Sequence, residues 1–272
     1  SRATQGLVNY LLKNFPGKAP SVVFAHDTRH FSREFAELSA RTVAAGGGTA
    51  YLFSEDRSTP ELSFAVRQLG AQAGVEITAS HNPAHDNGYK VYFSDGAQIV
   101  EPHASGIIRE VEAVREPELN PQPKSGGKVV LIGREVDEAY LEALKELVIE
   151  REMLKNEGAK LKVVFSPLHG TGIRIVPALL KSVGAQVSIV TAQEKGDGRF
   201  PTVQSPNPEN GEALALGVEQ AKSEKADLVM ATDPDADRMG VALRNSSGEY
   251  ELITGNQIGS LLASYRIDRM RA

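Results

Sequence analysis

Apolar residues recur along the chain in two alternating rhythms. SVVFAHDTR (residues 21–29) is a short apolar run with a polar end, as a buried strand has, and SREFAELSARTVAAGGG keeps helical spacing until glycines able to take the left-handed cap conformation stop it. TAYLF reads as a second strand. STPELSFAVRQLG reads as a helix with Ser58 or Thr59 at its N-cap and Pro60 in its first turn, and AGVEITAS as a third strand. Ahead of this group, Leu7, Leu11 and Leu12 recur at helical spacing.

The same order returns downstream. LKVVFSPLHG, the helix pattern GIRIVPALLKSVG, the strand QVSIV, the proline-rich loop FPTVQSPNPENG, the helix GEALALGVEQAKSEK and the strand ADLVMATD form a second copy. Val22 to Ser80 covers 58 positions and Val163 to Asp233 covers 70, the extra length falling between Gln193 and Asn210. Two copies at so long a period exclude a solenoid and predict two related three-layer α/β domains, each with a mixed sheet flanked by helices. Between the copies lie KVYFSDGAQIV, the helix pattern ASGIIREVEAVRE and the loop or linker PELNPQPKSGG, followed by VVLIG and a helix over VDEAYLEALKELVIEREML. The expected domains are residues 1–135, 136–250 and, from 251 to 272, the opening of a third.

Composition narrows the classes. With 41% hydrophobic and 24% charged residues the 272-residue chain builds ordinary globular cores and is not disordered. A net charge of −5 gives no overall attraction for nucleic acid or an anionic membrane, so a phosphate site must be assembled from local groups. The lack of cysteine excludes disulfides, thiolate metal sites and cysteine nucleophiles, and fits a cytoplasmic setting. No apolar run has the length of a membrane span.

In open α/β sheets functional groups gather beyond the carboxyl ends of strands, and the third strand of each copy ends in a chemically loaded loop: TASHNPAHDNG and ATDPDADRMG. Element order sets Ser80 opposite Asp233. Asp233, Asp235 and Asp237 alternate, so a curled segment can converge them on one hard cation through oxygen alone, magnesium fitting best if phosphate oxygens complete the shell. A calcium EF-hand would want glycine and glutamate where Arg238 and Arg244 stand. Arg238 offsets the acidic charge and is placed to touch phosphate. A serine before His-Asn-Pro serves equally as a turn or N-cap residue, but a phosphorylated Ser80 would supply an oxygen ligand to the same cation. Lys90 and, after it, His81 are candidate proton carriers, with a solvated lysine and a structural histidine as the plain alternatives. PLHGTG offers backbone N–H groups and His169 to an anion, or is simply a tight turn. Arg29, past the first strand, is placed for phosphate or for an ion pair with Asp27.

TASHNP with NGYKVYFSDGAQI, then FSPLHGTG, FPTVQSPNPE, ATDPDADR and TGNQIG, resemble the α-D-phosphohexomutases, the phosphoglucomutase and phosphomannomutase superfamily, over nearly the whole chain. The resemblance implies that Ser80 carries the transferred phosphate and that magnesium sits on Asp233, Asp235, Asp237 and that phosphate. It implies a sugar 1-phosphate to 6-phosphate interconversion through a sugar 1,6-bisphosphate, which also serves as activator, with Lys90 and His81 exchanging the hydroxyl proton. The family's opening Phe-Gly-Thr-x-Gly-x-Arg-Gly segment and its third- and fourth-domain loops have no counterpart in these residues. The expectation is therefore a fragment that binds magnesium weakly and turns over little. Sugar choice among glucose, mannose and pentose, and oligomeric state, are not written in these residues.

Two rivals remain. Asp233 and Asp235 also satisfy the Asp-x-Asp spacing of haloacid-dehalogenase-like phosphatases, which leaves Ser80 without a role. A non-catalytic sugar-phosphate-binding module is the third reading.

Overall fold

The computed structural model describes residues 1–119 and 124–271; the centre of the expected linker, residues 120–123, lies outside the described residues. By contacts the chain divides into one unit of Ser1–Ala79 with Asn87–Asp137 and a second of Ser80–Asp86 with Glu138–Ala272.

The first unit runs α1 (Arg2–Asn14), β1 (Ser21–His26), α2 (Ser32–Ala45), β2 (Thr49–Phe53), α3 (Thr59–Gln68), β3 (Ala73–Ile77), β4 (Lys90–Phe93), α4 (His103–Ala113) and β5 (Lys128–Ile132). Its sheet has the order β4-β3-β1-β2-β5, parallel except for β4. Strand β1 is apolar throughout because both its faces are covered. Val22 and Phe24 pack with Leu7, Leu11, Ala40 and Ile107 from α1, α2 and α4, while Val23 and Ala25 pack with Leu62, Ala65 and Val66 from α3. Ser58 caps α3 as its sequence suggests, its hydroxyl accepting from the Glu61 amide at 3.3 Å. Gly47 takes the left-handed conformation (φ 87°) just beyond α2, where the glycine run predicts a stop.

Helix α5 (Arg134–Glu146) begins in the first unit and continues into the second. The helix expected over 136–154 breaks after Glu146 and resumes as α6 (Arg151–Glu157). The β-branched pair Val148 and Ile149 lies at the break, among the poorer helix formers of the run. Arg57, 3% exposed, grips Asp137 at the start of α5 through two hydrogen bonds of 2.7 and 2.8 Å, with its guanidinium over the Phe53 ring. Asp137 keeps a quarter of its side chain exposed, but losing the guanidinium also removes the positive charge 3.8 Å from the fully buried Glu61 carboxylate. Arg57→Leu is expected to cost about 3–5 kcal/mol, read as a lower urea midpoint at unchanged m-value.

The second unit continues with β6 (Lys162–Ser166), α7 (Val176–Ser182), β7 (Gln186–Ile189), α8 (Thr191–Glu194), α9 (Gly211–Glu224), β8 (Leu228–Thr232), β9 (Met239–Arg244), β10 (Tyr250–Ile253) and α10 (Gly255–Arg271). Its sheet order is β10-β9-β8-β6-β7. Mapping β6, β7, β8 and β9 onto β1, β2, β3 and β4 reproduces the order of the first sheet, so the repeat extends to strand topology. The helix expected from Gly172 starts as a 3-10 turn, Thr171–Arg174, and becomes α-helical with Pro177 in the first turn of α7, where its missing N–H costs nothing. Tyr250–Ile253 forms an edge strand on β9, so the break expected at residue 251 falls inside the second sheet. Among the described residues no helix is long and apolar enough to cross a membrane.

Candidate functional site

The register corrects the equivalence read from element order. Val22 pairs with Ala73 and Val163 with Leu228, so Ala73 corresponds to Leu228 and, counting along both strands, Thr78 corresponds to Asp233 and Ser80 to Asp235. Loop conformation, not strand register, brings Ser80 to Asp233.

Between β8 and β9 the chain curls through Asp233–Arg238. Pro234 fixes one φ, Ala236 adopts φ 54°, and the Ala236 amide donates to the Asp233 carbonyl at 3.0 Å. The curl gathers one carboxylate oxygen each from Asp233, Asp235 and Asp237 within 4.8 Å of one another, the first two buried and the third exposed. Asp233 Oδ1 accepts from the Arg238 amide at 3.0 Å. Burial first, then the charges of Asp235 and Asp237, push the Asp233 carboxyl up to about 8.

Ser80–Asp86 belongs by its contacts to this second unit. Ser80, at φ 54°, donates its hydroxyl to Asp233 Oδ2 at 2.9 Å, and its Oγ lies 3.4 Å from His81 Nδ1. Burial and the neighbouring Arg238 lower the His81 pKa, partly offset by Asp235, Asp237 and Glu209. The His81 carbonyl accepts from Ser205 Oγ at 3.2 Å. Arg238 keeps its guanidinium exposed, 3.9 Å from Asp237. Of the seven non-glycine residues with positive φ among the described residues, Ser80, Leu168, His169, Phe200 and Ala236 lie in the loops of this site. Backbone strain of this kind persists where surrounding structure holds it and gathers at functional sites.

The other expected site residues fall differently. His169 is 3% exposed and both ring nitrogens are engaged: Nδ1 with the Lys195 carbonyl at 3.1 Å and Nε2 with Thr202 Oγ1 at 2.9 Å. The amides of Leu168, His169, Gly170 and Thr171 donate to Ser166 Oγ and to the carbonyls of Gln193, Pro167 and Pro234. The amides of these four residues and both ring nitrogens of His169 are thus engaged inside the protein, so PLHGTG braces the loops around it.

Arg29 and Lys90 belong to the first unit. The Arg29 side chain is fully buried and pairs with Asp27 at 3.1 Å, the ion-pair alternative of the sequence reading. Asp27 also accepts from the Arg29 amide, Ser32 and Thr78, yet burial outweighs these and raises its pKa to about 6. Lys90 is half-buried on β4, its Cα opposite that of Glu76.

Two family patterns match the chain: phosphoglucomutase/phosphomannomutase, alpha/beta/alpha domain I, over residues 1–118, and domain II of the same family over residues 138–248. The chain belongs to the phosphoglucomutase/phosphomannomutase family. A phosphoglucomutase of Staphylococcus aureus (strain N315) is 41% identical over 268 residues, covering 97% of this chain and 47% of the relative. A Thermus thermophilus protein provisionally described as a phosphomannomutase superposes with TM-score 0.82 at 28% identity, covering 98% of this chain and 57% of that one. A phosphoglucomutase/phosphomannomutase family protein of Burkholderia thailandensis shares the fold, with TM-score 0.74 at 22% identity over 98% of this chain and 55% of that one. The chain spans about half the length of the curated relatives it matches.

Proposed function

We propose that Ser80 is the phosphoryl carrier of a phosphohexomutase-type reaction, an isomerisation that moves phosphate between the 1- and 6-positions of a sugar, and that Asp233, Asp235 and Asp237 hold magnesium beside it. The observation that carries this reading is the 2.9 Å hydrogen bond from Ser80 Oγ to Asp233 Oδ2. A hydroxyl that touches a carboxylate cluster becomes, once phosphorylated, an oxygen ligand aimed at the same point.

The donor set fits the cation. All ligands are hard oxygens, and the high pKa of Asp233 reports a carboxylate that is costly to ionise without a positive partner. When bound, magnesium would neutralise charge on the transferring phosphoryl group. The phosphatase reading gives no role to the hydrogen bond from Ser80 to Asp233, which counts against it.

In the forward step a sugar hydroxyl oxygen attacks the phosphorus of phosphorylated Ser80, the bond from phosphorus to Oγ breaks, and Oγ keeps the electron pair. The sugar 1,6-bisphosphate formed turns, and its other phosphoryl group returns to Ser80. His81, beside Oγ, is placed to give Oγ a proton as the bond to phosphorus breaks and to take it back when the phosphoryl group returns. Lys90, the first proton carrier by family resemblance, would take the proton of the attacking sugar hydroxyl, and Arg238 presents its exposed guanidinium to phosphate. The sugar phosphate is the small-molecule partner, and the bisphosphate primes Ser80.

The test uses the 272-residue chain incubated with glucose 1,6-bisphosphate and magnesium, followed by intact mass and peptide mapping. A phosphoryl group on the Ser80 peptide, absent in Ser80→Ala, is the expected result. An unmodified chain, both as purified and after incubation, contradicts it.

A further inference from the structure

Ser166, His169, Gln193 and the half-buried Thr202 form a chain of hydrogen bonds. Ser166 Oγ accepts from the Leu168 amide at 3.0 Å and donates to Gln193 Oε1 at 2.6 Å. The amide nitrogen of Gln193 donates to Thr202 Oγ1 at 3.0 Å. The Lys195 carbonyl can only accept, so His169 Nδ1 carries a proton, and in the neutral ring Nε2 accepts from the Thr202 hydroxyl. Gln193 is fully buried and Ser166 is 1% exposed.

This relay connects both loops of the site. On one side it holds Leu168 and His169 at φ 45° and 62°, a pair of left-handed residues that would not persist unsupported. Directly after them Thr171 donates both its amide and its hydroxyl to the Pro234 carbonyl, at 2.9 and 3.0 Å, and a Cβ at Gly170 would collide with the Pro234 backbone. Pro234 lies between Asp233 and Asp235. On the other side Thr202 sits in the loop whose Ser205 holds the His81 carbonyl, next to Ser80.

We infer that His169, Gln193 and Thr202 are positioning residues that set the spacing of the three aspartates and of Ser80, and that His169 makes no contact with substrate phosphate. The inference rests on the cation reading of the aspartate cluster. Partners that orient a metal site are typically worth about 10–100-fold in metal affinity.

The probe is Mn2+ alone, added without any phosphate and followed by calorimetry on the whole chain, with circular dichroism as the check on folding. Thr202→Val keeps the shape and removes the hydroxyl, whereas Thr202→Ser keeps the hydroxyl. A loss of about tenfold or more in Thr202→Val, with Thr202→Ser near wild type and both folded, supports the inference. His169→Ala should lose Mn2+ affinity to a similar degree, whereas a phosphate-contact role would leave it unchanged. Unchanged affinity in Thr202→Val or His169→Ala, equal losses in Thr202→Val and Thr202→Ser, or an unfolded Thr202→Val chain each overturn it. In the last case the relay holds the fold, not the loop. If wild type itself binds no Mn2+, the cation reading falls instead, so the two failures are distinguishable.

Discussion

Asp233→Asn is expected to abolish Mn2+ binding and, in cation-free buffer, to make the second unit more stable than wild type. Three carboxylates converge within 4.8 Å, two of them buried, and the central cost falls on Asp233. Its pKa rises from 3.8 unfolded to about 8 folded. Between those values the folded chain keeps a proton that the unfolded chain has lost, so stability falls as pH rises through the window and is lowest above it. An amide at this position has no charge to bury, keeps an oxygen for the Arg238 amide, and offers a donor to Ser80 Oγ. The gain at neutral pH is on the order of a few kcal/mol, seen as a higher unfolding midpoint in chelator-treated samples. Mn2+ should raise the midpoint of wild type and leave that of the variant unmoved. A variant less stable than wild type without cation would show that the carboxylate is structural.

The second large effect is on pH. A cation needs Asp233 ionised, so binding to the unphosphorylated chain must displace its proton. Mn2+ affinity is expected to rise roughly tenfold per pH unit below the Asp233 pKa and to level off above about 8. Calorimetry in buffers of different ionisation heat should detect nearly one proton released per Mn2+ bound at neutral pH. A flat affinity profile between about pH 6 and pH 8 would contradict the burial and charge that raise this group.

The element rhythm was legible because strands buried on both faces stay apolar and helices keep their period, as β1 with Val22 to Ala25 and α3 with its Ser58 cap show. The repeated succession of elements was legible too, while the strand order that the two sheets share came only with the structure. What composition and order could not supply was register. Placing Ser80 opposite Asp233 by element order misses the true strand equivalence by two residues, because only the ladder pairing shows it. The aspartate cluster carried its own signal in alternation after an apolar strand. His169 did not, since its ring partners Lys195 and Thr202 lie 26 and 33 residues downstream and a polar residue in a loop looks the same whether it faces ligand or core. Arg29 was ambiguous for the same reason, its burial against Asp27 depending on Ser32 and Thr78 from two other segments. The break between α5 and α6 had only the β-branched Val148–Ile149 pair to announce it.

The central claim is that Ser80 and the three aspartates share one cation. Phosphorus-31 NMR of the chain phosphorylated on Ser80, titrated with Mn2+, tests it directly, because paramagnetic broadening falls off steeply with distance. The account predicts that stoichiometric Mn2+ broadens the phosphoserine resonance beyond detection, and that Asp233→Asn leaves it sharp. A resonance that stays sharp while the wild-type chain holds Mn2+ would place the cation away from Ser80 and contradict the account.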